Sequence, residues 1–159
     1  MKSQSLKTVV SILLIVLFFS CDEINITSKM KLTNYQSFGG HRYAITSNQL
    51  TWDEAKQFAL EQGGYLVIID NDEENGFIHD TYRETLDVNV TDILWIGLTD
   101  VAEEGIFRWV NGEIPLYTNW SEGEPNNDYG IQNYGHMFPD GTWDDVEVRN
   151  CYAIVEFDD

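Results

Sequence analysis

Between Asn119 and Asn133 the chain runs for fifteen residues with little helix or strand signal, and Ile131 is its only large aliphatic side chain. A loop that long inside a compact domain is either functional or disordered unless something organises it. Its composition suggests the organiser. Glu124-Pro125-Asn126 lies inside it, and Trp143-Asp144-Asp145 follows, with Asp144 eighteen residues beyond Asn126. Ca²⁺ takes roughly six to eight oxygens from carboxylates, amides, carbonyls and water. Two short acidic segments brought together by a fold can therefore cage it and leave positions open for ligand hydroxyls.

The rest of the pattern is mixed. Thr51 with Glu54 three residues on forms a capping box that opens a helix with Trp52, Ala55 and Ala59 inward, ended by Gly63-Gly64. His41 to Ile45 and Tyr65 to Ile69 read as strands. Asn71 or Asp70 caps a second helix whose first turn is acidic, with Phe77, Ile78 and Tyr82 inward. From Ile93 the pattern becomes short strands joined by turns: Ile93 to Leu98, Phe107 to Val110 with Asn111-Gly112 as a hairpin turn, Tyr134 to Met137, then Cys151 to Phe157. Two helices with short antiparallel sheets make an α+β domain. The run from Asp70 to Gly76 does not make an EF-hand, because the glycine falls at position seven and Thr81 stands at position twelve.

The N-terminus carries Lys2 and Lys7 and then an apolar run from Val9 to Phe19. That run is about half of the ~20 residues a spanning helix needs, so residues 1–20 read as a secretory signal peptide. Phe18-Phe19-Ser20-Cys21 resembles a bacterial lipoprotein cleavage box, with Phe18 where leucine is usual, which implies lipidation at Cys21. Residues 21–37, polar and short of aromatics until Tyr35, read as a tether between the anchor and a domain over 38–159. Without residues 1–20 the chain keeps seven Lys/Arg against 27 Asp/Glu, a formal charge of −20. Nucleic acid is not expected as a partner at that charge. Membrane association is expected through acyl chains, on an exported protein anchored at the cell envelope or surface, with simple secretion as the alternative.

Glu124-Pro125-Asn126 with Trp143-Asp144-Asp145 resembles the sugar-binding signature of C-type lectin domains, whose second motif is usually Trp-Asn-Asp. Trp95-Ile96-Gly97-Leu98 resembles the family's central strand. The stretch from Thr51 through Leu66 is similar to its first helix and following strand, and Ala153 to Phe157 to its closing strand. The resemblance spans about Phe38 to Phe157 and implies a C-type lectin fold with a long calcium-binding loop. Animal members usually carry two disulfides. The matching positions here are Ala59, Tyr134, Val148 and Val155, which makes packing the expected replacement, as in bacterial relatives.

Position by position, the resemblance implies calcium ligands at Glu124, Asn126, Gln132, Asp144 and Asp145, and a cis proline at Pro125. Gln132 stands where glutamate is usual and Asp144 where asparagine is usual, which exchanges hydrogen-bond donor and acceptor roles without changing the charge. The same residues, Glu124, Asn126, Gln132 and Asp144, are the implied sugar contacts, with Tyr129 beside them. Glu-Pro-Asn is the version that prefers mannose-like sugars. An auxiliary calcium site is implied at Asp100, Glu104, Asn127 and Asn133. Trp95, Trp109, Trp120 and Trp143 are expected mostly in the core.

His41, His79 and His136 lack zinc-protease spacing, and no nucleophile elbow or phosphate loop is present. Two readings remain: a calcium-dependent lectin for glycans or glycoproteins, with no catalysis, or a lectin-like protein-binding module or adhesin in which calcium only orders the loop.

Overall fold

The computed structural model describes residues 30–83 and 93–158. The expected signal peptide and Cys21 lie outside the described residues. Among the described residues, no helix is long and apolar enough to cross a membrane.

Leu32–Phe38 (β1) and His41–Thr46 (β2) form an antiparallel hairpin turning at Gly39-Gly40, both at positive φ. This corrects the tether expected over 21–37, since residues 32–37 belong to the sheet. Most of β1 is exposed, as suits a polar strand at a sheet edge, and that exposure hid it in the sequence. Trp52–Glu61 (α1) carries the expected capping box: the Thr51 hydroxyl accepts the Glu54 N–H and the Glu54 carboxylate accepts the Thr51 N–H. It buries Trp52, Ala55, Phe58 and Ala59.

Only Tyr65–Leu66 (β3) forms a ladder where a strand over 65–69 is expected. The next residues keep pairing, with the Val67 N–H donating to Ile154 and its carbonyl accepting from Gly97. Asp72–Ile78 (α2) is capped by the Asn71 side chain, which accepts the Glu74 N–H, and His79–Arg83 continues it as a wider π turn. Leu94–Thr99 (β4), Arg108–Trp109 (β5), Tyr134–Met137 (β6), Trp143–Val146 (β7) and Tyr152–Asp158 (β8) complete the sheet.

The strand order is β1-β2-β8-β4-β6-β7, with β3 also on β8 and β5 also on β4. Among the described strands every ladder is antiparallel except β4 with β8, which joins the terminal strands to those that carry the long loop. Tyr43, Ile69, Ile78, Tyr82, Trp95, Ile96, Leu98, Met137, Trp143 and Ile154 are buried between sheet and helices. A fully buried side chain of this kind contributes roughly 1.5–3 kcal/mol. The indole N–H groups are not wasted: Trp52 donates to Ile96 O, Trp95 to Leu50 O and Trp143 to Asn75 Oδ1, each at 2.8 Å. Ala59 and Val155, two of the positions at which packing is expected in place of disulfides, lie in one buried cluster with Ala44 and Phe157. Tyr134 packs on Trp52 and Trp95, whereas Val148 is exposed. Cys151 is buried, and its backbone bridges Leu50.

Candidate metal centre in the long loop

The hairpin β6–β7 places the acidic pair. His136 lies directly across from Asp144 and Gly135 across from Asp145. Asp145 is fully buried. Its two carboxylate oxygens accept the backbone N–H groups of Asn126 and Asn127, both at 2.9 Å. Glu124-Pro125, a cis peptide bond, precedes them. The strand thus clamps the loop at the point where the first motif sits.

Glu124, Asp144 and Asp145 each offer an oxygen within 4.8 Å of the others. At an effective dielectric near 20, each charge pair at that distance repels by roughly 3 kcal/mol. Burial raises the Asp144 carboxyl to about 7, helped by the approach of Glu124 and the charge of Asp145. A cation among these acids would relieve that repulsion. Glu124 Oε2 and Asp144 Oδ1 are buried, and neither has a hydrogen-bond partner in the protein. Unsatisfied acid oxygens beside one another fit a hard divalent ion.

Asn126 is held to the cluster, its amide donating to Glu124 Oε1 at 2.9 Å. Gln132 is engaged elsewhere: its Oε1 accepts the Asp128 N–H, and its backbone N–H donates to Asn127 Oδ1. Tyr129 is 89% exposed on a short 3₁₀ turn over Asp128–Gly130, at φ 56°. In the auxiliary group the Asn127 amide donates to Glu104 Oε1. Asp100 is buried with Oδ2 accepting the Gly105 N–H at 2.8 Å and Oδ1 unpartnered. Asn133 joins through its backbone carbonyl, which accepts the Asp100 N–H at 3.3 Å and the Thr99 hydroxyl at 2.7 Å.

Trp95, Trp109 and Trp143 are core residues, and Trp120 packs edge-on against Phe107 and Trp143 at the loop's start. Sequence reasoning missed His136. Its ring is 2% exposed, both nitrogens lack partners, and Nε2 lies 3.9 Å from Asp144 Oδ2. Burial holds its pKa down at about 3, so the imidazole beside Asp144 is neutral. Pairing Tyr134–Met137 with the Trp143 segment across the Pro139-Asp140-Gly141 turn would have shown it, because hairpin register puts His136 opposite Asp144.

The chain matches the family described as "Lectin C-type domain" over residues 48–155. It is 33% identical over 152 residues to Lectin BRA-3 of Megabalanus rosa, covering 92% of this chain and 88% of that protein. The fold is similar to the C-type lectin CEL-I from Cucumaria echinata, with a TM-score of 0.72 and 25% identity over 78% of this chain and 94% of that one. It is similar also to a calcium-independent type II antifreeze protein, with a TM-score of 0.66 and 25% identity over 79% and 95% of the two chains. Family and fold are those of non-enzymatic carbohydrate-binding modules. On the strength of that match and of the acid-lined loop it covers, this chain belongs to the C-type lectin domain family.

Proposed function

We propose that the chain is a calcium-dependent lectin that binds glycans at the loop site, where Glu124, Asn126, Asp144 and Asp145 would hold the ion and Gln132 would join them once its Oε1 leaves the Asp128 N–H. The carrying observation is the trio Glu124, Asp144 and Asp145, two of whose buried oxygens have no protein partner. When bound, Ca²⁺ supplies open coordination positions for a pair of neighbouring sugar hydroxyls. The remaining work falls to the side chains. Glu124 and Asp144 accept hydroxyl protons, and the Asn126 amide, which spends one N–H on Glu124, has a second to donate. Tyr129 offers an exposed ring for the sugar's apolar face.

Glu-Pro-Asn supports a preference for mannose-type glycans. Asp100, Glu104, Asn127 and Asn133 would hold a second ion that stiffens the loop, with the unpartnered Asp100 Oδ1 in support. Lipidation at Cys21, after removal of residues 1–20, would array these sites on a surface. One shallow site binds weakly, and an array raises avidity without new contacts.

A glycan array probed in calcium and again in EDTA tests this reading. Binding to mannose-type glycans that EDTA abolishes is the expected result. Silence in both conditions from folded protein favours the alternative of a protein-binding module or adhesin, a reading supported by the engagement of Gln132 Oε1 with the Asp128 backbone.

A further inference from the structure

A second group of metal-ligating side chains lies on the other half of the sheet. β2 and β8 are paired so that His41 stands directly opposite Asp158, while Glu156, two residues earlier on β8, points to the same face. On the other side of β8, Tyr65 of β3 pairs with Glu156. Three strands therefore deliver an imidazole, two carboxylates and a phenol to one spot. β4 and β6 lie between β8 and β7, the strand of the loop site.

His41 Nδ1 is 3.0 Å from Glu156 Oε1 and 3.4 Å from Asp158 Oδ1. Nδ1 is shielded from solvent, and although the first separation is that of an ion pair, its alignment makes no hydrogen bond. Two ligands each 2.0–2.1 Å from a tetrahedral zinc lie about 3.3 Å apart, so this spacing is already that of neighbouring zinc ligands. The supporting groups are in place as well. Glu156 is almost fully buried, and its other oxygen accepts the Ile68 N–H at 2.9 Å. The Tyr65 hydroxyl donates to Asp158 Oδ1 at 2.6 Å. Such outer bonds fix carboxylate direction and sharpen a metal site.

These four residues are among those lining a cavity of about 510 Å³, which also reaches Lys56 and Asn111. We propose that His41, Glu156 and Asp158 form a metal site for a divalent ion of the zinc type, with its remaining coordination position facing this cavity. The donor set excludes calcium as the preferred ion, because Ca²⁺ takes oxygen and imidazole nitrogen selects zinc and its first-row neighbours. Three protein ligands with one position left open is the arrangement in which zinc still takes water or an exogenous ligand.

Titration calorimetry of the full chain with Zn²⁺ alone, in calcium-free buffer, tests the site. The wild-type chain is expected to take up one zinc equivalent, lost in His41→Ala and weakened at least about tenfold in Asp158→Asn. Glu124→Gln, which alters the loop site, is expected to retain it. Substituting Co²⁺ should give visible absorption that His41→Ala abolishes. His41 and Asp158 are partly exposed, and circular dichroism of both variants checks folding; either variant alone suffices. No zinc uptake by the wild type, zinc uptake that survives His41→Ala, or uptake lost only in Glu124→Gln would overturn the proposal, the last by assigning zinc to the acidic loop.

Discussion

The Asp145 carboxylate accepts the Asn126 backbone N–H at 2.9 Å, so one buried acid both faces the candidate metal centre and fixes the loop that forms its other wall. Its second oxygen does the same for Asn127. Loop shape and metal-ligand chemistry are thus coupled through a single side chain, and a change at Asp145 acts on both.

Hydrogen bonds to a charged acceptor contribute about 1.5–3 kcal/mol each, and relief of repulsion from Glu124 and Asp144 offsets part of their loss. Asp145→Ala is therefore expected to cost about 2 kcal/mol in calcium-free buffer and to open residues 119–133 to protease. Urea unfolding with limited proteolysis measures both. Unchanged protease resistance would show that the loop is held by other contacts.

Tyr129 separates binding from stability. Its ring is exposed, and Tyr129→Ala is expected to shift unfolding by less than about 0.5 kcal/mol. Under the proposed function, glycan affinity falls by about fivefold to tenfold, the equivalent of the 1–1.5 kcal/mol an aromatic contact supplies. Parallel melting and glycan-binding curves check this, and equal affinity would remove Tyr129 from the sugar contacts.

The first helix carries a pH signature. Bonds from the Thr51 backbone and hydroxyl hold the Glu54 carboxyl below its usual range. A depressed carboxyl contributes stability above its unfolded pKa, and that contribution disappears as pH falls through the folded value. Thr51→Ala is expected to cost about 1 kcal/mol at pH 7 and less below pH 4. Thermal melts of both chains across that range give the difference, and a constant difference would mean that Glu54 takes no part in the cap.

Gly97 marks a close backbone approach in the core. A Cβ there would meet Leu66 O at 2.6 Å and Val67 O at 2.8 Å, both backbone atoms that cannot step aside. Gly97→Ala is expected to cost about 1–3 kcal/mol in urea unfolding. Full retention of stability would show that β3 and β4 can separate without penalty.

Much of this was legible from residue order. The capping box at Thr51, the Asn71 cap and the turn at Asn111-Gly112 depend on local chemistry, and each forms where the sequence places it. β1 was not legible, because an edge strand with most side chains in solvent has no apolar alternation to read. At the site, the motifs pointed to Glu124, Asn126, Asp144 and Asp145. They could not show that Asp145 spends both oxygens on the loop backbone or that Gln132 bonds to Asp128, because those depend on how the loop folds back. The His41 and Asp158 pairing, 117 positions apart, is likewise set by strand register and by nothing local.

Calorimetric titration of Ca²⁺ into the wild-type chain and into Glu124→Gln shows whether the loop acids seat the ion. Saturable binding that the variant loses, with glycan binding lost alongside it, is the predicted result. Calcium binding that is absent in the wild type, or unchanged in the variant, would contradict the assignment of the Glu124, Asp144 and Asp145 cluster as the ion's seat.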